Sequence, residues 1–234
     1  MKIYMLSGLG ADGRIYDRLK RHAPGHEIIA LPWKDPGKSK TIADYARLLD
    51  SQYTLEQPYI LGGVSMGAMV AQEWARIRKP EGLILISTVC SDTDYPWLLR
   101  FASGSRLTYV LRKWMLIRIA TIADKFTVKS GHGRSLFYDM LHNTEARVME
   151  FGARATTAWK PCGTEVPVLR IHGTLDRVFP FRKIRTPVVP IEGGSHFMIV
   201  DRVGEVGAVI DGWLTLRCPG GGLFDTPSGA ERNH

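Results

Sequence analysis

The chain has 234 residues, 44% of them hydrophobic, with 31 Lys and Arg against 23 Asp and Glu, a formal net charge of +8 and three cysteines. That length suits one large domain with a substantial core, and no apolar run is long enough to span a bilayer. Cys90, Cys162 and Cys218 are odd in number, far apart and without a CxxC pair, which speaks against a disulfide framework or a zinc site and for a reducing cytoplasm.

The basic residues are spread along the chain with a modest excess between Arg100 and Arg134. A solvated basic face explains them, and no nucleic-acid partner is expected. The chain opens on a strand-like segment, without a basic region and apolar core ahead of it, so no secretory signal is expected either.

In chain order, apolar runs bounded by turn residues recur: KIYMLSG, HEIIALPW, PYILGGVS, GLILIST, VPVLRIHG and TPVVPIEGG. They are short, continuous and rich in Ile, Val and Leu, as strands covered on both faces are. Between them lie stretches with helical spacing: Arg14 to Arg21, Thr41 to Glu56, Met66 to Lys79 and Val203 to Leu216. Strand and helix in alternation predict an open parallel α/β sheet. The rhythm breaks from about Ser91 to Lys160, a block of roughly seventy residues that is too long for a plain connection. It is rich in helix formers, aromatics and Arg, and predicts a helical cap. Residues 217–234, rich in Gly, Pro and polar residues, are expected to form a flexible tail. Cys90, after the fourth run, is expected to be a small buried residue.

The first loop spells G-x-G-x-x-G with Gly8, Gly10 and Gly13. Such a loop after a strand can cradle a dinucleotide pyrophosphate, and Asp35 lies about twenty residues on, where a ribose-binding acid belongs. Asp12 opposes that reading, because it would set a carboxylate beside the phosphates; as an N-cap of a helix starting near Gly13 it is ordinary. Asp35, beyond Pro32 in LPWKDPGKS, belongs to a turn.

The segment GGVSMGAMVAQEWA carries G-x-S-x-G as Gly63-Val64-Ser65-Met66-Gly67, where a strand passes directly into a helix. A sharp turn there lifts the Ser65 hydroxyl above the sheet and aims the first helical amides at it. A serine needs a base, and His196, in GGSHFMIVDR after the last strand, lies at the right edge. His22 and His26 lie at the opposite edge, His132 and His142 fall in the cap, His172 is expected to buttress the following loop, and His234 is terminal. The histidine in turn needs a carboxylate. Asp176 in RIHGTLDRVFP is preferred, while Asp92 or Asp94, after the fourth strand, stays open as an alternative.

The order Ser65, Asp176, His196 is that of the α/β-hydrolase triad. On GVSMG, HGTLDRVFP and GGSHFMIVDR the chain resembles that superfamily from Lys2 to about Leu216, and the last two segments resemble its small cofactor-free esterases. The resemblance implies one domain over 1–216 with a cap at about 91–160. It implies a sheet of about six parallel strands that lacks the first two of larger members. It further implies an oxyanion hole from the amides of Leu9 and Met66. Two positions depart from the usual pattern: Ser7 stands where His often precedes Gly8, and Ala68 where a second glycine often follows the elbow. The expected reaction is hydrolysis of a small-molecule carboxylic ester through an acyl-enzyme, with no cofactor and no metal. A thioesterase or lactonase would use the same machinery. An acyltransferase, a lyase or a non-catalytic binding protein of this fold are the other readings. Trp97, Phe101, Trp114, Phe126, Phe137 and Trp159 either line an acyl pocket or form the cap's own core, and the second is preferred for most.

Overall fold

The computed structural model describes residues 1–95, 112–127, 131–161 and 163–216, with the backbone alone at 122–127 and 132. Its centre is a six-stranded sheet of β1 (Lys2–Leu6), β2 (Glu27–Leu31), β3 (Tyr59–Val64), β4 (Gly82–Ile86), β5 (Val168–Gly173) and β6 (Val189–Ile191), in the order β2-β1-β3-β4-β5-β6. Every pairing is parallel. Each apolar run of the sequence supplies one strand.

The continuous apolar character of the strands follows from burial on both faces. Side chains alternate across a strand, and here alternate residues enter two cores. Ile3, Met5, Ile60, Ile84 and Ile171 pack on one side with Val206, Ile210 and Leu214. Tyr4, Leu6, Leu61, Leu83 and Leu85 pack on the other with Ile42, Tyr45, Leu49, Met69 and Trp74. The helices that supply these partners are α1 (Ile42–Gln52) and α2 (Met66–Ala75) on the second face, and α7 (Val203–Thr215) on the first, preceded by the short α6 (Met198–Asp201). Helix α1 starts where Thr41 and Asp44 cap each other's backbone reciprocally, which satisfies two of its free amides. Every residue of α2 is buried, and its Trp74 indole donates to Asp50 of α1 at 2.8 Å.

The stretch Arg14 to Arg21 departs from its helical expectation. It forms two 3-10 turns, Gly13–Tyr16 and Leu19–Arg21. The spacing of Ile15, Tyr16, Leu19 and Ala23 is helical and all four are buried, so the burial reading holds while the winding is tighter. Tyr16 explains part of this: its hydroxyl donates to the Leu6 carbonyl at 2.7 Å and pins the segment to the end of β1.

Between β4 and β5 stand α3 (Lys113–Thr127), α4 (Gly131–Asn143) and α5 (Ala146–Ala158). Helices α4 and α5 meet the loops at the carboxyl ends of the strands. Phe137 of α4 stands edge-on to Phe197, ring centroids 5.7 Å apart. On α5, Phe151 packs on Tyr45 with centroids 5.0 Å apart, and Arg147 pairs with Asp35 at 2.6 Å. Of the aromatics singled out above, Trp159 is buried and Phe137 is half-buried, whereas Trp114 is 60% exposed. Trp97, Phe101 and the Phe126 side chain lie outside the described residues, as do Cys162, Cys218 and residues 217–234. Cys90 corrects its expectation: it lies beyond the end of β4 and is half-buried, outside any disulfide. Among the described residues no helix is long and apolar enough to cross a membrane.

Candidate active site

Ser65 stands between β3 and α2 with φ 54° and ψ −118°, a backbone conformation that costs a non-glycine residue energy and persists only where its surroundings enforce it. They do. Its amide donates to Ile86 of β4 at 2.9 Å, and its carbonyl accepts the amides of Ala68 and Met69 at 3.1 and 3.2 Å. Thr88 Oγ1 adds a further donor to that carbonyl at 3.1 Å. Glycine at 67 is compulsory because a Cβ there would meet the Leu6 carbonyl oxygen at 2.2 Å, and one at 63 would meet the backbone of Gly67 at 2.4 Å.

Asp176 and His196 come from the loops after β5 and β6, which touch through their glycines: a Cβ on Gly173 would stand 2.3 Å from the Gly194 oxygen. The Leu175 amide donates to Gly194 at 2.8 Å and the Gly193 amide to Thr174 Oγ1 at 2.8 Å. The carboxylate of Asp176 has no solvent exposure. Its Oδ1 accepts the amides of Val178 and Phe179 at 2.8 and 2.9 Å, and its Oδ2 lies 2.8 Å from His196 Nδ1. His196 Nε2 then lies 3.1 Å from Ser65 Oγ. An ionised carboxylate only accepts, so Nδ1 carries the imidazole proton and Nε2 offers its lone pair to the serine hydroxyl.

Burial alone would raise the Asp176 pKa, since it penalises the charged form. The charge of His196 and the hydrogen bonds from His172 and His196 outweigh it and hold the carboxyl well below the usual range. Asp176 is therefore anionic wherever the fold stands at neutral pH.

The two alternative carboxylates have other surroundings. Asp94 is fully buried elsewhere, with Oδ1 accepting the Arg185 amide at 2.8 Å and Oδ2 within 3.3 Å of Arg170. Asp92 is exposed at the start of the 3-10 turn Asp92–Asp94, and the carboxylate at His196 Nδ1 is that of Asp176.

The side chains of Leu9 and Met66 both border Gly152. The loop 7–11 is closed by Ser7 Oγ donating to the Ala11 carbonyl at 2.8 Å and by the Ala11 amide donating to Gly8 at 3.1 Å. Ser7, where a histidine was expected from the resemblance, is buried and acts as the brace of this turn. A Cβ on Gly8 would lie 3.6 Å from the Ser65 Cβ, so the loop borders the serine; Gly10 has φ +75° and a Cβ there would strike Leu141. The Met66 amide is the first of α2. Gly152 of α5 lies over both residues: a Cβ on it would stand 2.5 Å from Leu9 Cδ1 and 2.7 Å from Met66 Sδ.

Neither Thr88 nor Gly152 stood out in the sequence. Thr88 carried a faint signal, a hydroxyl just past β4, the strand beside the one that leads into Ser65. Gly152 carried none, because its importance lies in a contact between distant segments. The dinucleotide reading loses its acid as well: Asp35 accepts the Gly37 amide at 2.8 Å and pairs with Arg147. Among the described residues no three His, Cys, Asp or Glu side chains group to hold a metal ion.

Residues 3–209 match the model of the Alpha/beta hydrolase family. No curated protein matches the sequence significantly. Solved structures share the fold at low identity. An enol-lactonase from Burkholderia xenovorans LB400 is 17% identical with a TM-score of 0.69, over 92% of this chain and 91% of that one. An esterase from Exiguobacterium antarcticum is 17% identical with a TM-score of 0.67, over 92% of each chain. A thioesterase of the prodiginine pathway in Streptomyces coelicolor is 16% identical with a TM-score of 0.59, over 89% of this chain and 90% of that one.

Proposed function

The chain belongs to the alpha/beta hydrolase family, and from that premise we propose that it is a serine hydrolase that cleaves carboxylic esters through an acyl-enzyme. The observation that carries the proposal is the unbroken line from Ser65 Oγ through His196 to the buried Asp176 carboxylate.

In the first half-reaction Ser65 Oγ attacks the ester carbonyl carbon while His196 Nε2 takes the hydroxyl proton. Asp176 holds the imidazole in the productive tautomer and stabilises the imidazolium. The amides of Leu9 and Met66 receive the negative charge on the former carbonyl oxygen; one such donor is typically worth about 3 kcal/mol to the transition state. The C–O bond to the alcohol then breaks as His196 returns its proton to the leaving oxygen. Water, activated by the same nitrogen, attacks the acyl-serine and releases the acid. None of these steps uses a cofactor. Three scattered cysteines fit a reducing cytoplasm.

Hydrolysis of p-nitrophenyl esters across acyl lengths, run beside Ser65→Ala, tests this directly. Turnover lost in the variant is the expected result. Preference for an acyl thioester or a lactone over every oxygen ester would move the assignment within the family. No turnover of any of the three, with no labelling of Ser65 by a fluorophosphonate, would overturn it in favour of a binding protein.

A further inference from the structure

His172 stands on β5 at 1% exposure, four residues before the acid. Its Nε2 is 2.8 Å from the Phe179 carbonyl oxygen and 3.3 Å from Asp176 Oδ2. Both neighbours are acceptors, so this nitrogen carries the proton; its hydrogen bond goes to the Phe179 carbonyl, and Asp176 Oδ2 lies beside it. Phe179 is thereby held on each side of its peptide, with its amide on Asp176 Oδ1 and its carbonyl under His172. The Phe179 ring in turn stands edge-on to the His196 imidazole, centroids 5.6 Å apart. One buried imidazole thus touches both the carboxylate and the residue that packs on the base.

We propose that His172 is a positioning residue of the hydrolytic site, which fixes the carboxylate of Asp176 against His196 by donating to the Phe179 carbonyl and holding the same N–H 3.3 Å from Oδ2. The inference rests on reading Ser65, His196 and Asp176 as a hydrolytic relay. Its physical content is one oxygen that faces two polarised N–H groups, His196 in a hydrogen bond and His172 beside it. A donor from His172 draws charge from Oδ2 and weakens the hold on the imidazolium. Without it, Oδ2 faces His196 alone and binds the imidazolium more tightly, while the carboxylate is freer to turn. The charges bearing on Asp176 are those of His196 and His172. Asp94, the buried carboxylate after β4, is engaged by Arg170 and by the backbone at Arg185, and Arg177 on the acid loop is exposed.

The test compares His172→Leu with His172→Gln, whose amide N–H reaches toward the same two oxygens. In His172→Leu, kcat per active site falls by about 10- to 100-fold, the range seen when the partner that orients a metal-ligating residue is lost, while KM stays nearly constant. The acid limb of kcat/KM moves to higher pH, and His172→Gln recovers most of both. The ¹⁵N titration of the His196 ring, assigned by its loss in His196→Asn, reads the same shift without substrate. Should His172→Leu not fold, His172→Gln against His172→Asn gives the comparison, because the Asn amide falls short of both oxygens. An unmoved acid limb together with an unmoved His196 titration overturns the inference, as does a loss that Gln fails to recover. If Ser65-dependent hydrolysis is present while neither readout moves, only the role of His172 falls. If the His196 titration moves but no substrate is turned over, the coupling stands and the hydrolase reading falls.

Discussion

The indole N–H of Trp159 donates to Glu73 Oε1 at 2.8 Å in a buried contact, and so fastens the end of α5 to the helix that begins beside Ser65. Glu73 has a weaker partner in Arg76, at 3.5 Å on the surface. Trp159→Phe would keep an aromatic ring but leave the Glu73 oxygen without its donor. The expected cost is about 1–3 kcal/mol of stability, read as a lower urea midpoint with an unchanged slope. Glu73→Gln, which retains an acceptor oxygen, should cost less.

Asp176→Asn should abolish turnover while leaving the fold in place. The amides of Val178 and Phe179 hold an oxygen at the Oδ1 position, so the new NH₂ group must face His196 Nδ1. That forces the imidazole proton onto Nε2, where it opposes the serine hydroxyl. The expected loss in kcat is about 10⁴-fold, as for the same change in chymotrypsin-type proteases. Combining it with Ser65→Ala should cost little more than Ser65→Ala alone, because the groups act as a unit; steady-state kinetics of the set would check this.

Asp94→Ala should behave in the opposite way. Its carboxylate joins Arg170, the Arg185 amide and Thr186, whereas the His196 ring bonds to Asp176 and Ser65. Removing one side of a buried ion pair costs about 3–5 kcal/mol, so thermal and urea stability should fall sharply. Turnover per folded molecule, counted by fluorophosphonate titration, should stay close to that of the unaltered chain.

Acid stability should carry the signature of Asp176. Its folded pKa lies below the ordinary 3.8, so the folded chain binds fewer protons there than the unfolded one. The stabilisation is complete above the unfolded value and is lost as pH falls below it. Asp12, Asp44 and Asp94 are lowered as well, but they are shared by the variant. Urea unfolding measured from about pH 5 downward should therefore show a steeper acid loss in the unaltered chain than in Asp176→Asn.

Much of this arrangement was legible in the sequence because it depends on local chemistry. Continuous runs such as ILGG and LILI read as strands with both faces covered, and G-x-S-x-G between a strand and a helix fixed the place of Ser65. His196 followed from the edge of the sheet on which it emerges. Other features depend on contacts between remote segments. Asp94 and Asp176 both follow parallel strands, and the choice between them lies in which one meets the His196 loop through Gly173 and Gly194. The two 3-10 turns at 13–21 share their burial pattern with a helix, so periodicity could not separate them. Trp114 looked like core by type and stands in solvent.

His196 follows the shortest strand of the sheet, which stands at an edge. Among the described residues β6 has three residues and a single neighbour, β5, whereas Ser65 follows a six-residue strand bonded on both sides. Fraying at that margin would carry the imidazole away while the interior stayed intact. On gradual warming, catalysis should therefore fade at a lower temperature than the near-ultraviolet dichroism of the packed aromatics, and it should return on cooling.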